Sequence, residues 1–418
     1  MKRFFCALFA ALFALTGLSW SVSLADEAAV DIHTPEQAGF ISESYDDLNA
    51  IYDYADGSEE NSLPAPIVCD FSGDGIPDSP SYVFQWGTRA DFAGCVTDEY
   101  VFYKTYDLYN VLLGEHVYWR AGTSAETVAD SPVHELTVTS QAPRVCFVPG
   151  VYNVRDVGGW PSSLAEGAYI RQGLYYRGKA LDGINADGEH ELYDVLGVRA
   201  EIDLRDRSQC KGPYVDGVDY HAIPIPSGTE STRFEKFAKE YVKIYDVIAN
   251  AAEKPVYLHC SMGADRTGIA TFMLLTVCGV SYEDAARDYL FTCFAEGGMR
   301  HLASEFEVWE EKLGALEGET RAEKAKSWMT SKGVPEATVE KIRETFVAGY
   351  KSDVPTEFGA GDVNRDAKID ALDAVMIMKY LVGYAHDGFD ASLADVDGSG
   401  RINARDVIAV MMMIVNKE

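Results

Sequence analysis

Apolar and polar positions divide the chain into regions of different period. Between about Ala28 and Arg144 the apolar residues come in short runs bounded by Gly, Pro, Asp and Ser. These runs are Tyr82-Val83-Phe84-Gln85-Trp86, Tyr100-Val101-Phe102-Tyr103, His116-Val117-Tyr118-Trp119-Arg120 and Glu135-Leu136-Thr137-Val138-Thr139. Regular short strands without a helical period predict an all-β sandwich over 28–144. From about Val145 to Lys351, strand-like runs alternate with amphipathic ones. Val198–Leu204 and Val256–His259 read as buried strands, and Arg233–Ala252, Gly268–Val277, Tyr282–Cys293 and His301–Leu316 as helices. That alternation predicts a parallel-leaning α/β sheet over 145–351. Residues 352–359, with Pro355 among small or polar neighbours, read as a linker. Residues 360–418 hold an internal repeat: Gly361 to Asp373 matches Ala394 to Asp406, and each copy runs into an apolar helix.

The first residues follow another pattern. Lys2 and Arg3 precede an apolar stretch from Phe4 to Leu18, broken only by Thr16 and Gly17, and Ser23-Leu24-Ala25 supplies small residues before a cleavage site. Residues 1–25 therefore read as a secretory signal, with the exported chain starting near Asp26. A membrane anchor would need about 20 unbroken apolar residues, and no later stretch reads as a membrane span.

Composition narrows the partners. The 418 residues carry 36 Lys+Arg against 66 Asp+Glu, a formal charge of −30. Nucleic acid and anionic membrane surfaces both attract clustered cations, so neither is an expected partner. Once Cys6 leaves with the signal, Cys69, Cys95, Cys146, Cys210, Cys260, Cys278 and Cys293 remain. An odd number in an exported chain leaves at least one thiol unpaired.

Cys260 has a chemical reason to be that thiol. It lies in His259-Cys260-Ser261-Met262-Gly263-Ala264-Asp265-Arg266-Thr267-Gly268, after an apolar strand and at the opening of an apolar helix. Free amides and the positive dipole end at such a helix start favour an anion. With Arg266 nearby, the same field lowers the thiol pKa. Five residues between Cys260 and Arg266 let the loop curl, so that its amides ring a tetrahedral oxyanion while the guanidinium grips two oxygens. A thiolate beneath a phosphoryl group held in this way is placed for in-line attack, giving a phosphocysteine that water hydrolyses.

This loop resembles the signature of protein tyrosine phosphatases, and in particular the HCxxGxDRTG loop of an atypical bacterial subgroup. Asn153-Val154-Arg155-Asp156-Val157-Gly158-Gly159, Tyr176-Arg177-Gly178 and Ile202-Asp203-Leu204-Arg205 resemble that subgroup's other landmarks. The resemblance implies a tyrosine-phosphatase-like domain in which Cys260 is the nucleophile, Arg266 binds the phosphoryl group and Thr267 assists the departing thiolate. His259 would orient the loop, and Ser261, Met262, Gly263, Ala264 and Gly268 would line the substrate together with Arg155 and Asp156. For Arg155 and Asp156 a bracing role weighs equally. The stretch Ile223-Pro224-Ile225-Pro226-Ser227-Gly228-Thr229-Glu230 holds no Asp where classical relatives carry their general acid. Asp265 is the first candidate for that role, Asp203 the second and Glu230 the third, with a structural ion pair to Arg205 as the competing role of Asp203. Ala264 stands where the subgroup often has Lys, which disfavours inositol lipids.

The repeats space oxygen ligands as EF-hand loops do. In the first these are Asp362, Asn364, Asp366, the Lys368 carbonyl, Asp370 and Asp373, and in the second Asp395, Asp397, Ser399, the Arg401 carbonyl, Asn403 and Asp406. Two EF-hand-like loops ending in Asp, each followed by one helix, resemble a dockerin, a small α module. The resemblance implies two structural Ca2+ ions and a cohesin partner on a cellulosome-type scaffold. Residues 10 and 11 of the loops are Ala371-Leu372 and Ala404-Arg405 rather than the common Ser/Thr. Two weaker features lie upstream. Leu108 to Trp119 resembles a corner of fibronectin-III-like domains, and Asp70 to Asp78 reads equally as a calcium loop or a plain turn.

The combined expectation is a secreted, scaffold-docked phosphatase with no catalytic metal and with phosphotyrosine as favoured substrate. A cysteine phytase or phosphoinositide phosphatase is the alternative within the class. A module that binds phosphorylated ligands without turnover is the alternative outside it.

Overall fold

The computed structural model describes residues 29–30, 48, 51–52, 55, 66–138, 144–228, 233–295, 297–354, 358–365, 368–384 and 389–416. The secretory signal, Glu230 and Asp366 lie outside the described residues. The chain divides into two compact units. Of the described residues, the first holds 29–30, 68–106 and 114–138, and the second holds 48, 51–52, 55, 66–67, 107–113 and everything from 144 onward.

In the first unit, β1 (Ala29–Val30), β3 (Tyr82–Gly87), β4 (Val96–Val101), β6 (His116–Gly122) and β7 (His134–Val138) form one sheet in the order β1-β7-β6-β3-β4. Its pairs are antiparallel except β1 with β7. Along β6, Val117, Trp119 and Ala121 are buried in alternation, as expected when one face of a strand meets a core. β2 (Ile67–Asp70) and β5 (Thr105–Leu108) form a separate two-stranded sheet, and the Tyr106 ring stacks on buried Phe84 at 4.0 Å. The unit is not all-β: Ala125–Val128 is a helical turn capped by Ser124. The expected strand at Tyr100–Tyr103 is displaced as well. Its partner on β3 sets the edge strand at Val96–Val101, which leaves Phe102 and Tyr103 exposed beyond it. Asp70 to Asp78 is a plain turn whose carboxylates go to protein donors. Asp70 accepts from the Ser72 amide, Asp74 pairs with His134 at 2.7 Å and Asp78 with Lys104 at 2.8 Å.

The corner at Leu108 to Trp119 turns where Asn110 adopts a left-handed φ of 64°. Residues 107–113 belong to the second unit, where Asn110 bonds Glu191 and the Leu113 amide donates to Gln172 at 2.7 Å. Ile51 and Ala55 also lie in that unit's main core.

That core is built on β8 (Arg155–Asp156), β9 (Tyr175–Gly178), β10 (Ala200–Asp203), β11 (Asp219–Ala222) and β12 (Val256–His259), in the order β11-β10-β12-β9-β8. All pairs are parallel except β8 with β9. Both faces are covered: Tyr175, Ile202 and Leu258 point into the larger core, while Tyr176 and Tyr257 point into the smaller one. Helices α1 (Ala238–Ile248), α2 (Asp265–Val277), α3 (Tyr282–Leu290), α4 (Ser304–Gly314), α5 (Arg321–Ser331) and α6 (Glu336–Phe346) complete this α/β layer. Every residue of α2 from Arg266 to Val277 is buried, as befits a central helix apolar on all sides. The register sets Gly178, Asp203 and His259 level at the carboxyl ends of neighbouring strands. Ligands of open α/β sheets bind at such ends.

At the C-terminus α7 (Ala371–Leu381) and α8 (Ala404–Val415) follow the two repeat loops. Val363, Ala374, Ile377, Ala394, Val407 and Val410 form a small core of their own. Among the described residues no helix is long and apolar enough to cross a membrane.

All seven described cysteines are free. Disulfides stabilise by restricting the unfolded chain, so none is available to be lost. The thermal midpoint measured with and without dithiothreitol is expected to agree within about 1 °C, against several degrees for loss of a disulfide.

Candidate active site

The strand β12 ends at His259, and the chain turns through 260–264 into the N-terminus of α2. Two glycines permit the turn's close approaches. Gly263 has φ 67°, and a Cβ there would lie 2.0 Å from the Gly178 carbonyl oxygen. Gly268 lies against Tyr289, where a Cβ would come within 2.5 Å of the ring. Gly268 is thus a packing residue between helices rather than a substrate contact.

Cys260 is 4% exposed. Burial alone would push its thiol up. The Arg266 guanidinium, the Thr267 hydroxyl and the amides of Thr267 and Met262 outweigh burial, and the thiol ionises below its ordinary range. Thr267 Oγ1 is buried with no other partner among the described residues, which leaves it for the sulfur. Arg266 Nη1 donates to the carbonyls of Leu204 at 3.1 Å and Ile225 at 3.0 Å, and Nη2 donates to Ser261 Oγ at 3.1 Å. The Nε–H and one Nη2–H are left for a ligand. The segment 223–226 therefore aims this arginine, although it carries no acid.

His259 is fully buried, with Nε2 at 3.0 Å from Glu201 Oε1 and Nδ1 at 3.4 Å from the Cys260 carbonyl. Both nitrogens serve the loop's orientation. Asp203, second candidate for general acid, is committed elsewhere. Its oxygens accept from Arg205 Nε, Nη2 and amide and from Tyr220 Oη at 3.1 Å. Burial raises its pKa, but the bonds from Arg205 and the nearby His259 prevail and hold it ionised below the usual carboxylate range. A group kept ionised in this way does not donate protons, so the ion-pair role is the one the geometry supports.

Arg155 and Asp156 likewise face the scaffold. Arg155, 2% exposed, bonds the Asp288 carboxylate and carbonyl, Thr292 and Asn153. Asp156 is fully buried against Arg144 at 2.9 Å and the amides of Gly158 and Gly173. Neither is placed as a substrate ligand. Ala264 is fully buried, so its side chain is not one either, whereas its carbonyl accepts from Arg177.

Asp265 is the first residue of α2, and its side chain is 56% exposed. Its Oδ1 accepts from Tyr289 Oη at 3.0 Å and Arg300 Nη1 at 2.8 Å, and no bond to Oδ2 is formed among the described residues. Of the three acid candidates it is the described one with an accessible oxygen. Glu201, Asp288, Tyr289 and Arg300 escaped sequence reading. Each is a partner of a motif residue reached across the fold. The one local signal was a charged residue on an otherwise apolar strand or helix face, as at Glu201 and Asp288.

In the second repeat loop the carboxylate oxygens of Asp395, Asp397 and Asp406 lie within 4.8 Å of one another. Ser399 bonds Asp395 and the Arg401 carbonyl, to which Asn403 also donates. This convergence of hard oxygen donors fits a divalent cation. Asp406 Oδ1 accepts the Val396 and Asp397 amides, and its Oδ2 accepts that of Asn403. In the first loop Asp373 does the same with Val363, Asn364 and Asp370. Asp370 caps α7, and Asp362 is buried.

A family model described as the tyrosine phosphatase family matches residues 147–354, and one described as the dockerin type I domain matches 360–415. A Cupriavidus necator protein named as a tyrosine-protein phosphatase is 25% identical over 187 residues, 37% of this chain and 67% of its own. The triple specificity protein phosphatase PtpB of Mycobacterium tuberculosis is 25% identical over 192 residues, 34% of this chain and 67% of its own. Among solved structures, P. aeruginosa TpbA in complex with pTyr aligns over 35% of this chain and 86% of its own, with 20% identity and a TM-score of 0.26.

A lowered thiol pKa has a direct readout. As pH falls, Cys260 stays a thiolate below the ordinary thiol pKa of about 8.5, so its alkylation by iodoacetamide persists to lower pH. In Arg266→Met the midpoint should rise, because the largest opposing charge is gone. An unchanged midpoint would show that Arg266 does not tune the thiol.

Proposed function

From a chain that carries a tyrosine phosphatase family domain and a dockerin type I domain, and is thereby a phosphatase, we propose a secreted enzyme that hydrolyses aryl phosphomonoesters through phosphocysteine while tethered to a cohesin. The observation that carries this reading is the buried Cys260 before α2, whose thiol ionises below its ordinary range chiefly because of the nearby Arg266 guanidinium. The Cys260 sulfur attacks phosphorus in line as the ester P–O bond breaks. Asp265 gives a proton to the leaving oxygen and takes one back from the water that cleaves the S–P bond. Arg266 and the loop amides hold the three equatorial oxygens. Thr267 donates to the sulfur as it departs. None of these steps is routed through a metal.

Ala264, buried where the resembling subgroup often has Lys, offers no charge for a polyphosphorylated inositol. Ca2+ would be held by Asp362, Asn364, Asp366, the Lys368 carbonyl, Asp370 and Asp373 in one loop, and by Asp395, Asp397, Ser399, the Arg401 carbonyl, Asn403 and Asp406 in the other. When bound, it neutralises the loop carboxylates and stabilises the two-helix module.

Two outcomes are expected. Cys260→Ser should lose at least about three orders of magnitude in phosphate release from a phosphotyrosine peptide while retaining phosphate affinity. Unchanged turnover would sink the mechanism, and release from phytate alone would replace the aryl substrate with inositol phosphate. EDTA should lower the melting midpoint of the C-terminal module and abolish cohesin capture, yet leave peptide hydrolysis within about twofold. Loss of hydrolysis would mean that the chemistry does need a metal.

A further inference from the structure

Three consecutive carbonyls of the catalytic loop are clamped from outside. Asn153 Nδ2 donates to the Met262 oxygen at 2.9 Å, and Arg177 Nη2 donates to those of Gly263 at 2.8 Å and Ala264 at 3.2 Å, the last also accepting the Gly268 amide of α2 at 2.6 Å. Within a trans peptide the C=O and the following N–H point to opposite sides. Pulling these oxygens outward therefore aims the N–H groups of Gly263, Ala264 and Asp265 into the loop. Those three amides donate to no protein acceptor among the described residues.

Both clamps trace back to one carboxylate. Arg177 Nη1 donates to Asp288 Oδ2, and Arg155 Nε donates to Asp288 Oδ1 at 3.2 Å. Arg155 Nη1 also donates to Asn153 Oδ1 at 2.5 Å, which turns the NH2 of that amide toward Met262. Arg155, Arg177 and Asp288 are all buried, and Asp288 is the one carboxylate paired with either arginine among the described residues. Burial and the second guanidinium pull the Arg155 pKa down to about 10, so the two cations depend on the shared anion.

We propose that Asp288 is a positioning residue for the phosphatase reaction: from its place in α3 it holds Arg155 of β8 and Arg177 of β9 together, and so sets the amide cage that receives the phosphoryl oxygens. This rests on the reading of 260–266 as the phosphate-binding loop. Neighbouring Tyr289 reinforces it from the same helix, bonding Asp265 and packing on Gly268.

The test uses the full chain, with p-nitrophenyl phosphate as substrate and orthovanadate and inorganic phosphate as cage ligands. Asp288→Asn keeps the shape and removes the charge. It should weaken vanadate and phosphate inhibition at least tenfold, raise KM and lower kcat. The pH midpoint of Cys260 alkylation should stay at the wild-type value, because Arg266, Thr267 and the Met262 amide lie outside the clamp. Inhibition constants within threefold of wild type would overturn the proposal. A shift of the alkylation midpoint alongside the loss would also overturn it, since that marks general loosening. If Asp288→Asn does not fold, Asn153→Gly decides. It accepts the left-handed φ of 59° at that position and removes the Met262 clamp together with the bond from Arg155 Nη1 that orients it, leaving the Arg177 clamps in place. It should weaken vanadate at least threefold, and an unchanged constant would refute the idea. Failure of the phosphatase reading is a separate result, read as turnover that does not depend on Cys260.

Discussion

The central unit is organised around one electrostatic problem, which is to let the buried thiol of Cys260 ionise below its ordinary range. An isolated buried charge costs several kcal/mol unless donors and counter-charge surround it. Here Arg266, the start of α2 and the amides of Met262 and Thr267 supply that surrounding. Burial opposes the thiolate and the local donors outweigh it, so reactivity at Cys260 belongs to the whole loop.

Holding the loop requires more charge than the loop itself contains. The level strand ends place His259 against Glu201, while α3 brings Asp288 to Arg155 and Arg177. These groups are buried, and their pairing is worth little as net stability compared with apolar packing. Removing one partner is what costs. Such a network is conformationally specific: it leaves the carbonyls of 262–264 one direction in which to point. The glycines at 263 and 268 are the steric counterpart, because side chains there would collide with Gly178 and Tyr289.

The C-terminal repeats solve a similar problem with shorter means. In each loop an Asp at position 12, buried at the first turn of its helix, accepts three loop amides and completes a capping box. The carboxylate ties each loop to the first turn of the helix that follows it. The helices bury Ile377 and Val410 between them. Met378, Met411 and Met412 stay exposed, which is compatible with a partner-binding role for this module.

Much of this was legible in the amino-acid order, because the chemistry of the loop is local. A strand, a turn of five residues between Cys260 and Arg266, and a helix start are contiguous, as are the ligand positions of each repeat. Sequence by itself therefore determined the loop that joins Cys260 to Arg266, the α/β class of the central unit and the repeat module. What it left open were roles decided by partners distant in the chain. Arg155 and Asp156 sit in a motif that suggests substrate contact, yet Asp288, 133 residues from Arg155, and Arg144 claim them. Asp203 reads equally as an acid or as an ion-pair partner of Arg205 until the bonds from Arg205 and Tyr220 favour the pair. The aromatic run at Tyr100–Tyr103 reads as a strand until pairing with β3 places the edge strand earlier. A side chain's charge state and direction depend on what packs around it, and that surrounding exists only after the chain has folded.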